Sequence, residues 1–393
     1  MPSRPESQLR GALAGRATAA GTARYAQRFL GGTTVSHSDS DVPEAVAGHF
    51  RSALGLTLSS IGCGTYLGEL SDDADARYRA ALVEAVQSGC NVFDTAINYR
   101  AQRSEIALGQ ALADLLADGE VSRSELVIAS KGGFIPYRLA RPADPMQYVY
   151  DNFIASGVAE PDDLAGGIHC MAPAYLSQQI NWSLRNTGLR ALDIYYVHNP
   201  ETQLAFVDRV TFRKRLQLAF ACLEEEVAAG RIGCYGVATW EGLRRPPMSA
   251  GYMSLEIMVR LAAEVAGPAH HLQVIQLPVS VAVPEGVVFR NQAVGDKLLP
   301  VLECARDLGL TVITSASIGQ AQLTGRVAAL LAEVYPTLKS SAQRALQFTR
   351  SLSGVATALV GMSRVEHVRD DMALAAFPPE PERAHRLAHA LAR

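Results

Sequence analysis

Eight short apolar runs, each followed by a stretch with helical spacing, constrain the fold of this chain more than any other feature. The runs lie at 60–66, 90–96, 126–131, 192–198, 233–238, 272–277, 310–314 and 356–360. The helical stretches lie at 75–88, 104–116, 173–187, 209–229, 253–266, 297–308, 319–352 and 365–375. The runs are continuous in apolar character instead of alternating, as strands buried on both faces must be. Parallel strands covered by helices meet that condition, and eight strand–helix units predict a closed (β/α)8 TIM barrel. An open doubly wound sheet is the alternative, but no Gly-x-Gly-x-x-Gly follows any run, which argues against a dinucleotide fold of that type. A small hairpin at 54–59 precedes the first run, and long βα loops are expected on the C-terminal face.

Composition narrows the class. A chain of 393 residues, 48% hydrophobic and 19% charged, can bury a substantial core. The net charge of -3 gives no reason to expect nucleic acid or an anionic membrane as partner. No run of about 18 apolar residues occurs, so no membrane-spanning helix is expected. The six cysteines, at 63, 90, 170, 222, 234 and 304, form no Cys-x-x-Cys pair. That scatter suits free thiols in a reducing, cytoplasmic setting. Residues 1–44 are rich in Ala, Gly, Ser, Thr and Arg and are expected to form a loosely structured extension. Their five Arg against one Glu in the first 30 residues also suit a transit peptide, the less favoured reading. The barrel is expected over 45–378 and a C-terminal tail over 379–393.

Reactive groups of a barrel collect where its strands end. The second, third and fourth runs end in Asp94, Lys131 and His198, and Tyr99 lies in the loop just beyond the first of these. A polar residue at a strand end often only marks where burial stops. Lys131 carries more information, because only four of the 36 basic residues are Lys and a compact ammonium is not replaceable by a guanidinium. A free tyrosine, with pKa about 10, is a poor acid at neutral pH. A neighbouring ammonium stabilises the phenolate and brings the phenol closer to working range. Asp94 would hold Lys131 charged and oriented, and His198 would position a carbonyl oxygen and stabilise charge developing there. The four together suit protonation of a carbonyl oxygen as hydride reaches its carbon.

With these residues the chain resembles the aldo-keto reductase superfamily over roughly 46–377. The resemblance rests on the 54–59 hairpin, Ile61-Gly62-Cys63-Gly64-Thr65, Asp94-Thr95-Ala96-x-x-Tyr99 and Ser104-Glu105 with Gly109. It continues through Lys131-Gly132, Tyr195-Tyr196-Val197-His198 and Gly230-Arg231-Ile232-Gly233-Cys234-Tyr235-Gly236-Val237. It implies a barrel that binds NADPH, or NADH, and reduces an aldehyde or ketone, with Asp94, Tyr99, Lys131 and His198 as catalytic tetrad. It also implies Gln276 and Thr239 beside the nicotinamide amide, though Ala238-Thr239 replaces a more usual Ser-Asn. Ser315 falls where many members carry a stacking aromatic. Ile318-Gly319-Gln320 resembles a pyrophosphate loop. Gly361, Ser363, Arg364, His367 and Asp371 correspond to the adenosine-phosphate site, where Arg364 would pair with a 2′-phosphate. Asp371 stands where Asn is common and His367 where Arg or Gln is common. Arg100 stands where Gly often follows the tyrosine.

The 133–172 segment leaves the strand bearing Lys131, so it begins on the active-site face. Its Phe134, Tyr137, Tyr148, Tyr150, Phe153, His169 and Met171 suggest a lid or pocket wall, and 284–295 suggests a second set of substrate contacts. Tyr66, His169 and Trp240 are the expected substrate contacts. The adjacent His169-Cys170 makes a poor tetrahedral site, so no metal is expected. The partner is expected to be a small-molecule carbonyl compound, with a homo-oligomer left open. Two other readings keep the nicotinamide site: a redox-neutral epimerase or dehydratase using bound NADP, and a nicotinamide-binding regulatory subunit.

Overall fold

Each of the eight apolar runs becomes a strand, and hydrogen bonding closes the strands into one parallel barrel. They are β1 (Ile61–Gly64), β2 (Val92–Asp94), β3 (Val127–Gly132), β4 (Leu192–His198), β5 (Ile232–Ala238), β6 (Leu272–Pro278), β7 (Thr311–Ser315) and β8 (Val355–Gly361). Every strand pairs with its neighbours in sequence, and β8 closes on β1 through Ala358 beside Ile61. The computed structural model describes residues 12–30, 45–319 and 325–392.

The two-residue period of a strand decides what reaches the site. Val92, Val127, Ala129, Ile194, Tyr196 and Val274 belong to an inner cluster that fills the barrel. The intervening Phe93, Ile128, Tyr195, Val197 and Ile275 belong to the cluster between strands and helices. Continuing the inner series toward the strand ends gives Asp94 on β2, Lys131 on β3, His198 on β4 and Gln276 on β6. Their neighbourhood therefore follows from the same alternation that packs the barrel.

The helices that bear on the site are α1 (Asp72–Gln87), α2 (Arg103–Ala117), α3 (Pro173–Thr187), α4 (Arg209–Ala228), α5 (Leu255–Ala266), α6 (Val301–Asp307), α7 (Ser341–Ser351) and α8 (Val365–Met372). Helix α1 starts on Ser71, whose side chain accepts from Ala74 N–H, with Asp72, Asp73 and Asp75 in its first turn, where the helix dipole favours acids. Two expected helical spans differ. Residues 297–299 belong to a hairpin with Gln292–Val294, and α6 begins only after Pro300, a residue that cannot donate to the preceding ladder. The 319–352 region contains Gly325–Val334 and then α7, which restarts on a Ser340–Gln343 capping box.

The N-terminal face is closed by the hairpin Phe50–Ala53 and Leu56–Ser59, whose Leu58 enters the inner cluster. The described part of the expected loose extension is instead docked here. Ala17 N–H donates to Asp193 at 2.7 Å, and Arg16 reaches the Ile232 carbonyl at 2.9 Å. The helix Ala19–Gln27 buries Tyr25 completely, with its hydroxyl donating to the Val86 carbonyl at 2.5 Å. Later in the chain, Pro381–Leu391 is a helix whose Ala384, Leu387 and Ala388 join the main core. No helix among the described residues is long and apolar enough to cross a membrane.

Tyr25→Ala removes a buried ring and its hydrogen bond on the face opposite the strand ends. It is expected to lower stability by about 3 kcal/mol or more in urea unfolding, with the far-UV spectrum retained. A loss below about 1 kcal/mol would show that this helix is not part of the cooperative fold.

Candidate active site

Lys131 is fully buried, and its three N–H donors all have acceptors. Its Nζ pairs with Asp94 Oδ1, donates to the Thr95 carbonyl at 2.9 Å, and reaches the Tyr99 hydroxyl at 3.3 Å. The second Asp94 oxygen accepts from Gln276 Nε2 at 2.8 Å. One ion pair thus ties together the ends of β2, β3 and β6 and the loop that carries Tyr99. Burial opposes the Lys131 ammonium, but Asp94 and Tyr99 outweigh it and leave its pKa raised. Tyr99 is pushed above the ordinary tyrosine value by burial, with Lys131 acting against the shift. The phenol is therefore protonated at neutral pH, and Lys131 is placed to stabilise the anion left by proton loss.

His198 lies beside this pair, its ring 5.6 Å from that of Tyr99 and edge-on to it. Burial, then the Lys131 charge, then His169 hold its pKa well below the usual histidine value. It is a neutral imidazole, and its buried Nδ1 has no hydrogen-bond partner among the described residues. Tyr66 packs edge-on against Tyr99 at 4.9 Å, and Phe134 packs edge-on against His198 at 5.2 Å.

A cavity of about 770 Å³ opens over these residues. Asp94, Tyr99, His198 and Gln276 line its inner end, and Tyr66 and Trp240 stand half exposed at the wall. Thr239, Ser315 and Ile318 continue the lining toward β8 and α8. Gly361, Ser363, His367 and Asp371 line the far end. Lys131 sits behind the wall, seen by the cavity only through its partners. Arg364 and Gly319 are not on the wall, and Gln320 lies outside the described residues. Among the described residues no three His, Cys, Asp or Glu side chains cluster in a way that could hold a metal.

His169 is a correction to the sequence reading. It is wholly buried, its Nε2 bonds the His198 carbonyl at 2.8 Å, and its Nδ1 meets Gln203 at 3.0 Å. Burial lowers its pKa to about 4. It supports the backbone under His198 and does not face the cavity. Gly133, at φ 144°, makes room for it: a Cβ there would stand 2.7 Å from the His169 ring.

The loops also differ from expectation. The 133–172 segment is pinned at its base by Ile135 N–H to the Ile168 carbonyl and Cys170 N–H to the Gly133 carbonyl. Val149, Phe153, Ala159 and Cys170 form a small core of their own against Tyr175, so most of the loop is a buttress and only Phe134 reaches the main cavity. In 284–295, Asn291 is buried and donates to the carbonyls of Leu243 and Arg245, which makes it a loop tie and not a substrate contact. Asn98, on the cavity wall, and Glu201, behind it, were not anticipated. Asn98 precedes Tyr99 and keeps a buried amide oxygen without a partner among the described residues. Glu201 accepts from the N–H groups of Trp240, Glu241 and Gly242 and so sets the Trp240 turn.

Just past Tyr99, Arg100, Ala101 and Gln102 take φ values of 47°, 53° and 72°. Left-handed backbone costs an ordinary residue about 1–2 kcal/mol each, and three in a row must be offset by contacts. This explains why Gly would suit position 100.

Residues 60–246 match the Aldo/keto reductase family. No curated protein matches the chain. Among solved structures, an aldo/keto reductase from Klebsiella pneumoniae in complex with NADP and acetate is 20% identical, over 88% of this chain and 95% of its own, with a TM-score of 0.58. The holo form of an aldo-keto reductase from Bacillus halodurans is 19% identical, over 88% and 96%, with a TM-score of 0.59. At these identities the likeness establishes the barrel fold.

The electrostatics are open to direct measurement. In an NMR titration from pH 8 to pH 5, the ring signals of His198 and His169 should stay at their neutral positions. A midpoint near about 6.5 for either would contradict the burial described here.

Proposed function

We propose that this chain, a member of the aldo-keto reductase superfamily, reduces an aldehyde or ketone to the alcohol with NADPH, NADH being the weaker candidate. The observation that carries the reading is the fully satisfied Lys131 with the Tyr99 hydroxyl as its third acceptor. A substrate oxygen between Tyr99 and His198 would meet a protonated phenol and a neutral imidazole. Tyr99 gives its proton to that oxygen, Lys131 stabilises the phenolate, and Asp94 holds Lys131 in place. His198 orients the oxygen and stays neutral, so it is not the acid.

The donor set fits a nicotinamide cofactor, which when bound would supply the hydride. Thr239, Gln276 and Ser315 would face its nicotinamide end, and Ile318, Gly319 and Gln320 its pyrophosphate. Gly361, Ser363, Arg364, His367 and Asp371 would hold the adenosine end. A Cβ at Gly361 would meet nothing within 4 Å, so the wall there is open. Arg364 is exposed and gives the first turn of α8 no side-chain cap, which leaves N–H groups free for an anion.

A second cavity of about 320 Å³ shares Asn98 and Phe134 with the first and is otherwise walled by Leu70, Ala101, Ile135, Tyr137 and Ile168, with Arg141 the one charged residue on it among those described. Leu70 and Ile168 are half exposed at its edge. These apolar walls favour a carbonyl substrate with an apolar arm that runs past Phe134.

Tyr99→Phe should lower kcat for reduction by about 10²–10⁴-fold while NADPH binding, followed by fluorescence quenching, changes little. Wild-type turnover by this variant would sink the proposal, and product formation without net NADPH consumption would favour the redox-neutral alternative.

Asp371 gives a pH-dependent test. Burial, with Asp370 adding, raises its carboxyl to about 7, above an unfolded value of about 3.9. Its contribution to stability is therefore full below the unfolded pKa and is lost as pH rises through about 7. The wild-type apo protein should lose more melting temperature between pH 6 and pH 8 than Asp371→Asn does. Because the carboxylate would face a phosphate, the variant should also bind NADPH more tightly at pH 8. Equal affinities would remove Asp371 from the phosphate end.

A further inference from the structure

We propose that Arg100 is a positioning residue that fixes the Tyr99 phenol by clamping the left-handed turn after it to the wall on the phenol's other side; this rests on Tyr99 being the acid. The guanidinium is almost fully buried, its side chain 1% exposed. Its Nε and Nη2 donate to the Glu69 carbonyl at 3.0 and 2.7 Å, and Nη2 pairs with Asp75 Oδ1 at 2.5 Å. It also stacks over the Tyr78 ring at 4.9 Å.

These contacts join three pieces. Glu69 belongs to the loop after β1, and that loop carries Tyr66, which lies edge-on against Tyr99. Tyr78 ties the same loop down through the Leu67 carbonyl. Asp75 is in the first turn of α1 and takes Arg103 on its other oxygen at 2.5 Å. Arg100 thus braces both the turn that bears the phenol and the aromatic wall that the phenol rests on. Gly68 leaves the room: at φ 128°, a Cβ there would come within 3.2 Å of Arg100 Nε.

The arrangement also explains how an arginine is tolerated at a left-handed position. The turn it begins, Arg100 to Gln102, is held at its far end by Gln102 to the Tyr137 carbonyl and by Asn186 to Gln102. Its middle is held by Leu139 N–H to the Ala101 carbonyl. Arg100 supplies the near end. Without it, the residue joined to Tyr99 is left with an unfavourable backbone and no side-chain tie.

Arg100→Gly separates the two effects, because glycine adopts the left-handed turn freely and only the guanidinium is lost. The expected result is a fall in kcat of about 10–100-fold, with KM and NADPH affinity within a few-fold of wild type and melting temperature little changed. Added guanidinium chloride should restore part of the rate to this variant and none to Tyr99→Phe. In the Tyr99→Phe background, Arg100→Gly should have no further effect, since a residue acting through Tyr99 is non-additive with its loss. If Arg100→Gly does not fold, Asp75→Ala, which removes one partner of the guanidinium, should show the same selective loss in kcat to a smaller degree. Wild-type kcat in the folded variant, or a full multiplicative loss in the Tyr99→Phe background, overturns the clamp. Undiminished turnover by Tyr99→Phe itself would instead overturn the assignment of the acid.

Discussion

The buried pair of Lys131 and Asp94 is the interaction on which the rest of the site depends. Taking two charges out of water costs several kcal/mol per ion, and only good geometry with every remaining donor and acceptor used offsets it. Lys131 spends its three N–H groups on Asp94, Thr95 and Tyr99, and Asp94 gives its second oxygen to Gln276. Loss of either partner would leave a buried charge alone. Completing the pair therefore fixes the phenol, the amide of Gln276 and three strand ends relative to one another. A guanidinium would not serve, because its planar fork cannot address three acceptors arranged around one small ammonium.

Much of this was legible in the sequence, for a physical reason. Continuous apolar runs fix which segments are strands, and the two-residue alternation then fixes which side chains point inward. Asp94, Lys131 and His198 each close an inward series, so their meeting needs no knowledge of the loops. Tyr99 follows by its short offset from Asp94. His169 was misread because its place depends on the antiparallel contacts that close the 133–172 loop, Phe134 with His169 and Ala165 with His169. Nothing in an aperiodic segment announces such pairing. The helix Ala19–Gln27 was equally hidden. Nine residues are too few to be stable by propensity alone, and this helix forms because the Val86 carbonyl receives its Tyr25 and Glu125 receives Arg24 and Arg28.

The two ends of the barrel use polar groups differently. At the N-terminal face most are used in closure, Arg123 Nε being an exception: Asp193 accepts from Ala17 and Ile128 and pairs with Arg123 at 2.7 Å, and Glu125 takes both Arg24 and Arg28. At the C-terminal face, His198 Nδ1 and Asn98 Oδ1 are buried without partners among the described residues. Buried polar atoms are nearly always satisfied, so such atoms clustered in a cavity mark where a ligand completes the structure. The division matches the general separation of stability and chemistry between the two faces of a barrel.

The turn after Tyr99 adds a constraint of another kind. Three left-handed residues with side chains are held in sequence beside the group assigned as proton donor, and their strain persists only because the surroundings over-determine it. A glycine at position 100 would relieve part of that strain, yet it would give up the link to Glu69 and Asp75. The chain keeps the costlier residue, and the contacts made by that residue lead to the wall of Tyr66 and Tyr78 and to Asp75 at the start of α1. Strain at this point is therefore coupled to the shape of the cavity. Lys131 sets the phenol from below through charge, and Arg100 sets it from the side through geometry, so the position of one hydroxyl is determined by two buried cations that never touch.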